Sequence, residues 1–251
     1  MGRIIAIANQ KGGVGKTTTS VNLSAALVEK GKTVLLLDLD PQGNSTSGLG
    51  VDKNESNTVY DMLVNDVPVD QCIRTGVWKT LDLIPSTVDL AGAEIEMLDI
   101  PRHEFILKKQ IREIEDRYDF IIIDCPPSLN LLTVNALTTA DSVLVPIQCE
   151  FYAMEGLTQL MHTIQLVQKK LNPSLRMEGV VFTMYDVRTN LSQQVVDSVK
   201  QYLKDKVYDT IIPRNVRLAE APSHDMPILE YDSRSTGAEA YRRLADEVIR
   251  Y

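Results

Sequence analysis

Near the amino terminus, Gln10-Lys11-Gly12-Gly13-Val14-Gly15-Lys16-Thr17-Thr18 has the residue types and spacing of a phosphate-binding loop. Glycines let the backbone wrap close to phosphate oxygens, because no Cβ intrudes and positive φ is open to them. The run follows the apolar segment IIAIAN at 4–9 and opens a helical pattern at 16–30. The amides of that helix N-terminus then face an anion held by Gly12, Gly13, Val14, Gly15 and Thr18. Lys16 is spaced to reach the β- and γ-phosphates, and the Thr17 hydroxyl is a ligand for Mg²⁺. The loop departs from the ordinary G-x-x-x-x-G-K-[ST] pattern. Gln10 stands where the first glycine would be, and a second lysine, Lys11, lies five residues before Lys16.

Carboxylates follow at strand ends. Asp38-Leu39-Asp40-Pro41-Gln42-Gly43-Asn44 closes the continuous apolar run TVLLLD at 33–38, and ligands of open parallel sheets bind beyond the carboxyl ends of strands. A carboxylate there orients a water and binds Mg²⁺ through its hydration shell. Phe120-Ile121-Ile122-Ile123-Asp124-Cys125-Pro126-Pro127 is a buried strand delivering Asp124 to its tip, a Walker B arrangement in which Asp124 holds Mg²⁺. Pro126 and Pro127 stiffen the next loop. By spacing alone Ile211–Ser223 is a strand end and a loop, with no chemistry attached.

These residues resemble those of one family over essentially the whole chain. KGGVGKTT is similar to the deviant phosphate-binding loop of the ParA/MinD family of ATPases, and DxDPQGN resembles the first switch of the ParA-like members. QCEFYAMEGL, TMYDVRTNLS, IPRNVRLAEAPS and SRSTGAEAYRRLADEV point to the short Soj-type chromosome-partitioning branch. The resemblance implies ATP and Mg²⁺ as ligands and hydrolysis of ATP as the activity. It implies that Lys11 crosses a dimer interface to the partner's nucleotide, and that Asp40 positions the attacking water and helps hold the metal, with Asp38 in support. Pro213 and Asn215 become candidates for contact with the adenine, and Arg188 and Arg217 for contact with DNA. The partners implied are a second copy in the ATP state, double-stranded DNA bound without sequence preference, and a ParB-type protein that stimulates hydrolysis.

The frame that must position these groups is an alternation of strands and helices. Further strand candidates are 81–85, 142–147, 179–184 and a stretch around 208–212; helical patterns fill about 58–64, 88–97, 103–117, 129–139, 154–171, 191–204 and 236–250. The expectation is α/β: a single-domain, mostly parallel twisted sheet with helices on both faces, spanning 1–251. The first strand candidate begins at Arg3, so the N-terminal helix-turn-helix of plasmid relatives, and with it sequence-specific operator binding, is not expected.

Composition fits that frame. The chain has 251 residues, 44% hydrophobic and 24% charged, which excludes whole-chain disorder. No apolar run approaches the ~18 residues of a membrane span, and no signal peptide is recognisable, so a cytoplasmic protein is expected, and the resemblance implies that it is nucleoid-associated. Cys72, Cys125 and Cys149 form no CxxC, which argues against an iron–sulfur carrier. Residues 1–150 hold 13 Lys and Arg against 21 Asp and Glu, whereas residues 151–251 hold 13 of each. DNA attachment therefore has to rest on a local patch, with Arg188, Arg217 and the segment carrying Lys200, Lys204 and Lys206 as candidates. An alternative is a MinD-like membrane-positioning ATPase. Its amphipathic terminal helix would have to be 236–250, where Ala240, Leu244 and Val248 with Tyr241 and Ala245 are expected instead to dock on the core.

Overall fold

Strands that must be covered on both faces lose the alternation of half-buried strands and become uniformly apolar. VLLLD and FIIID are such strands and are buried from end to end. In the computed structural model, which describes residues 2–54, 57–150 and 152–250, they sit at the centre of one sheet. The strands are β1 (Arg3–Ile7), β2 (Val34–Asp38), β3 (Arg74–Trp78), β4 (Leu81–Ile84), β5 (Phe120–Asp124), β6 (Ser142–Gln148), β7 (Arg176–Tyr185) and β8 (Val207–Pro213). Their spatial order is β3-β4-β2-β5-β1-β6-β7-β8. Every neighbouring pair is parallel except β3 with β4.

The helices are α1 (Lys16–Glu29), α2 (Asn44–Ser47), α3 (Val59–Val64), α4 (Val69–Cys72), α5 (Leu90–Glu96), α6 (Ile106–Ile111), α7 (Leu131–Thr139), α8 (Ala153–Lys170), α9 (Asn190–Leu203), α10 (Val216–Glu220), α11 (Ile228–Tyr231) and α12 (Thr236–Arg250). They form two layers. One apolar core joins one sheet face to α3 through α9, and the other joins the opposite face to α1, α11 and α12. Gly31 closes α1 at φ 78° with its N–H on the Val28 carbonyl, as a helix-ending glycine does. The apolar row of α12, with Ala240, Tyr241, Leu244, Ala245 and Val248, is buried in the same core as α1. That row is unavailable to a membrane, and among the described residues no helix is long and apolar enough to cross one.

The expected α/β architecture is the one observed, with local differences. β3 escapes a pattern search because RTGVW is polar, contains Gly76 and lies at the sheet edge, exposed over much of its length. The segment 103–117 is not one helix. Asn135 of α7 accepts from the Leu107 N–H and donates to the His103 carbonyl, which pins a tight turn at His103–Phe105 before α6 begins. The stretch after β8 is a helix rather than a loop, because the Asn215 side chain accepts from the Arg217 N–H and caps α10.

Candidate active site

Parallel strands all end on one side, so β1, β2, β5, β7 and β8 deliver their last residues to a common edge. The loop after β1 enters α1 through Gly13 and Gly15, at φ 74° and 85°. A side chain at Gly15 would meet Thr183 at 3.6 Å, and the Thr183 hydroxyl donates to the Val14 carbonyl at 2.8 Å, so β7 braces the loop. α1 has no side-chain cap and no acidic residue in its first turn. Its first N–H groups are therefore left for an anion, which they and the helix dipole favour.

A cavity of about 320 Å³ opens on this loop, lined by Gly12, Gly13, Gly15, Lys16, Thr17, Thr18, Asp40, Gln42, Asn44, Pro127 and Met184. Lys16 is 6% exposed, and its ammonium donates to the Lys11 carbonyl at 3.1 Å. Burial lowers the Lys16 pKa, while Asp124 and Asp40 work against that shift by favouring the charged form. Lys11 lies differently. Its ammonium pairs with Glu150 beyond β6 and is partly exposed.

Asp38 and Asp124 stand opposite each other in the β2–β5 register. Both are fully buried. Asp38 accepts from the Thr46 N–H at 2.8 Å, the Thr46 hydroxyl at 2.7 Å and the Asp40 N–H at 3.2 Å. It thereby ties β2 to α2 and to the loop carrying Asp40. Burial, then the neighbouring Asp124 charge, pushes its pKa to about 7. Asp124 accepts from Ser45 at 2.7 Å and Ser20 at 3.0 Å, and Thr17 also bonds it. Burial raises its pKa to about 6 in spite of those three donors. Asp40 is 8% exposed, faces the cavity and accepts from the Gln42 N–H at 3.0 Å. The hard oxygen set of Thr17, Asp40 and Asp124, converging where the loop amides would hold phosphates, suits Mg²⁺, which keeps waters and borrows phosphate oxygens.

A second cavity of about 320 Å³ adjoins the first and shares Gly15, Thr18 and Met184 with it. Its other walls include Ile212, Pro213, Asn215, Leu218 and Tyr241, an apolar slot of the kind a nucleobase fills. Pro213 and Asn215 both belong to it, but the Asn215 carboxamide is engaged, donating to the Thr236 hydroxyl at 2.9 Å while capping α10. Sequence spacing missed Met184, which divides the two cavities from a left-handed backbone at φ 50°. It also missed Ser20, Ser45, Thr46 and Glu150. No local pattern marks them, because their partners lie 8 to 139 residues away.

Arg188 and Arg217 follow β7 and β8, whose ends pair through Tyr185 and Pro213, so both reach the same sheet end as the cavities. Each is exposed and each is paired. Arg188 forks onto Asp186 at 2.9 and 2.6 Å. Arg217 binds Glu220 at 2.9 Å and lies 3.6 Å from Asp232. Lys200, Lys204 and Lys206 are not part of this group, since they precede β8 and fall at the opposite end of the sheet.

A parallel sheet, a glycine loop opening an uncapped helix, a buried lysine and two strand-end carboxylates define a P-loop ATPase, here with a second lysine in the loop. A family model described as an AAA domain matches residues 2–177. The chain is 60% identical over 249 residues to the sporulation initiation inhibitor protein Soj of Bacillus subtilis (strain 168), covering 99% of this chain and 98% of that one. It is 51% identical over 251 residues to the chromosome partitioning protein ParA of Myxococcus xanthus (strain DK1622), covering 100% and 89%. A solved structure described as cobyrinic acid a,c-diamide synthase from Mycobacterium smegmatis, with bound ATP analogue and magnesium, superposes with TM-score 0.88 at 40% identity, covering 100% and 95%. The cell-division ATPase MinD of Pyrococcus furiosus gives TM-score 0.81 at 29% identity, covering 100% and 99%. The chain belongs to the AAA-domain family matched and, within it, to the ParA/Soj chromosome-partitioning ATPases. It hydrolyses ATP with Mg²⁺ as cofactor.

Proposed function

We propose that the whole chain works as one ATPase domain that pairs face to face with a second copy when ATP is bound. In that state it holds double-stranded DNA without sequence preference, and a ParB-type partner returns it to the free state by stimulating hydrolysis. It would act in the cytoplasm, on the nucleoid. The observation that carries this reading is the contrast between the two lysines: Lys16 is folded into its own cradle, whereas Lys11 points out of it to Glu150. A partly exposed ion pair of this kind is worth roughly 0–1 kcal/mol, so exchanging Glu150 for a partner's triphosphate costs little.

The γ-phosphate needs its charge neutralised and a water held in line with the bond that breaks. The amides of Gly12, Gly13, Val14, Gly15, Thr17 and Thr18 take phosphate oxygens, and Lys16 supplies charge within the same chain. Thr17, Asp40 and Asp124 would hold Mg²⁺, which supplies further neutralisation of the phosphates. Asp40 orients the water, whose oxygen bonds to the γ-phosphorus as the bond to the bridging oxygen of ADP breaks. Asp38, through Thr46, keeps the Asp40 loop from drifting. Lys11 of the second copy completes the neutralisation, which makes turnover depend on pairing. Pro213 and Asn215 flank the adenine.

Arg188 and Arg217 contact DNA phosphates after leaving their carboxylate partners, and pairing of two copies doubles the patch. Arg217→Ala should reduce salt-sensitive DNA retention by the ATP-bound form. The central test is Lys11→Ala. Light scattering should show ATP-dependent pairing abolished, while fluorescent-nucleotide titration still shows binding. Pairing that survives the substitution refutes the proposal.

A further inference from the structure

Four of the 13 basic residues in the acidic half of the chain, Arg102, Lys108, Lys109 and Arg112, fall close together in sequence. They rim a groove of about 640 Å³ between the end of α3 and α6, whose floor is apolar, with Val64, Ile100 and Phe105. The three floor residues are half-buried, whereas Arg102, Lys109 and Arg112 are exposed. One carboxylate, Asp66, lines the groove, and it is already engaged, accepting from Lys109 at 3.3 Å and from Gln110 at 3.2 Å. The Lys108 ammonium donates to the Thr138 carbonyl at 3.1 Å. The two guanidiniums differ. Neither the Arg102 nor the Arg112 side chain has a hydrogen bond or ion pair among the described residues. Arg102 lies over the Phe105 ring, 4.9 Å from its centroid, on a left-handed backbone at φ 59°. Strain kept at an exposed arginine points to a use for its position.

The groove shares no residue with the nucleotide cavities. Lys108 and Arg112 also line a small cavity with Ile4 and Asp141, at the starting ends of β1 and β6. The groove therefore reaches toward the edge of the sheet opposite the nucleotide, and it stays open when two copies close over ATP. A free guanidinium takes a carboxylate or a phosphate as a fork. A recessed apolar floor takes an inserted side chain. Duplex DNA would meet the rim and leave the floor uncovered. A bilayer surface takes up protruding apolar side chains, and none of the floor residues is among the widely exposed ones. An acidic amphipathic helix satisfies the rim and the floor together, with apolar anchors on one face and carboxylates beside them.

We propose that the α3–α6 groove docks an acidic amphipathic helix of a partner protein, its apolar side chains on Val64, Ile100 and Phe105 and its carboxylates on Arg102 and Arg112. Docking there leaves the nucleotide cavities free, so the partner would hold the ATPase in place in its free and its ATP-bound forms alike.

The probe is a fluorescein-labelled peptide of about twelve residues, with leucine at every third or fourth position and glutamate at the rest. Fluorescence anisotropy with the full chain, at about 0.1 M salt, should show saturable binding of similar strength with and without ATP. Arg102→Glu with Arg112→Glu should weaken it about tenfold or more and leave ATP hydrolysis unchanged. Arg102→Gly removes one guanidinium and relieves the left-handed backbone, so weaker binding in that variant does not come from unfolding. A second peptide with serine for every leucine should bind about tenfold more weakly than the first, and a third with lysine for every glutamate should prefer the doubly reversed variant. No binding of the acidic peptide overturns the proposal, as does equal binding of the serine peptide or an affinity indifferent to the reversals. Peptide binding that ATP abolishes assigns the groove to the nucleotide-dependent interface and overturns it too. Phosphatidylglycerol vesicles or duplex DNA held through Arg102 and Arg112, with no peptide bound, give the rim to a phosphate surface and refute the helix.

Discussion

Gly43→Ala is a small change with a calculable cost at the loop that carries Asp40. Gly43 has φ 59°, and a Cβ there would lie 2.7 Å from the Ser86 carbonyl oxygen. Ordinary contact begins at 3.4 Å, so main chain must yield by about 0.7 Å. Lys53 also lies within 3.3 Å but is the far end of a flexible side chain and can swing aside. The Ser86 backbone cannot move freely, because its N–H donates to the Thr46 hydroxyl that itself bonds Asp38. The left-handed backbone adds about 1 kcal/mol, and the overlap brings the total destabilisation to about 2–4 kcal/mol. With Asp40 in its proposed role of aiming the water, a displacement of this size should lower turnover by roughly 10- to 100-fold. ATP affinity should stay near that of the parent, since the phosphate loop is untouched. Gly31→Ala is the control: it has φ 78° but no atom within 4 Å of the new Cβ, so only the backbone cost of about 1 kcal/mol applies. Denaturant unfolding and phosphate release measured on both variants decide the matter. Wild-type turnover in Gly43→Ala, or a stability loss equal to that of Gly31→Ala, would refute the argument.

Three other expectations follow from the same structure. Burial and the neighbouring Asp124 hold the Asp38 proton well above the usual carboxylate range when folded, so the native state keeps a proton that the unfolded chain has lost and stability falls as pH rises through that window. Asp38→Asn should therefore gain on the parent as pH rises from 5 to 8 in nucleotide-free unfolding, and a pH-independent gap would contradict the assignment. Burial raises the thiol pKa of Cys72 and Cys149 to about 11 and that of Cys125 further still. All three should react with a disulfide reagent at pH 8 only after unfolding, and rapid native labelling would disprove their burial. Asn215→Ala removes the cap on α10 and the bond to Thr236, which should cost about 1 kcal/mol and weaken fluorescent ATP binding several-fold. Unchanged affinity would remove Asn215 from the base slot.

The parts legible in the sequence were those written locally. The phosphate loop, the central strands β2 and β5 and their terminal aspartates each occupy a continuous stretch whose residue types carry the meaning. What stayed hidden depends on distant partners. Ser20 and Ser45 are ordinary helix residues until the fold brings both to Asp124. Lys11 reads as a phosphate ligand, and only the placement of Glu150 after β6 shows where its ammonium rests in a single chain. β3 was invisible because an edge strand exposes its polar side chains and does not need the apolar run that marks β2. The break before α6 depended on the Asn135 side chain, 28 and 32 residues further on.

The bond from Thr183 to the Val14 carbonyl joins groups 169 residues apart, and Thr19 meets the Tyr241 hydroxyl across 222. The glycine loop is thus braced by residues far from it in the sequence, so its order and the folding of β7 and α12 are a single cooperative event.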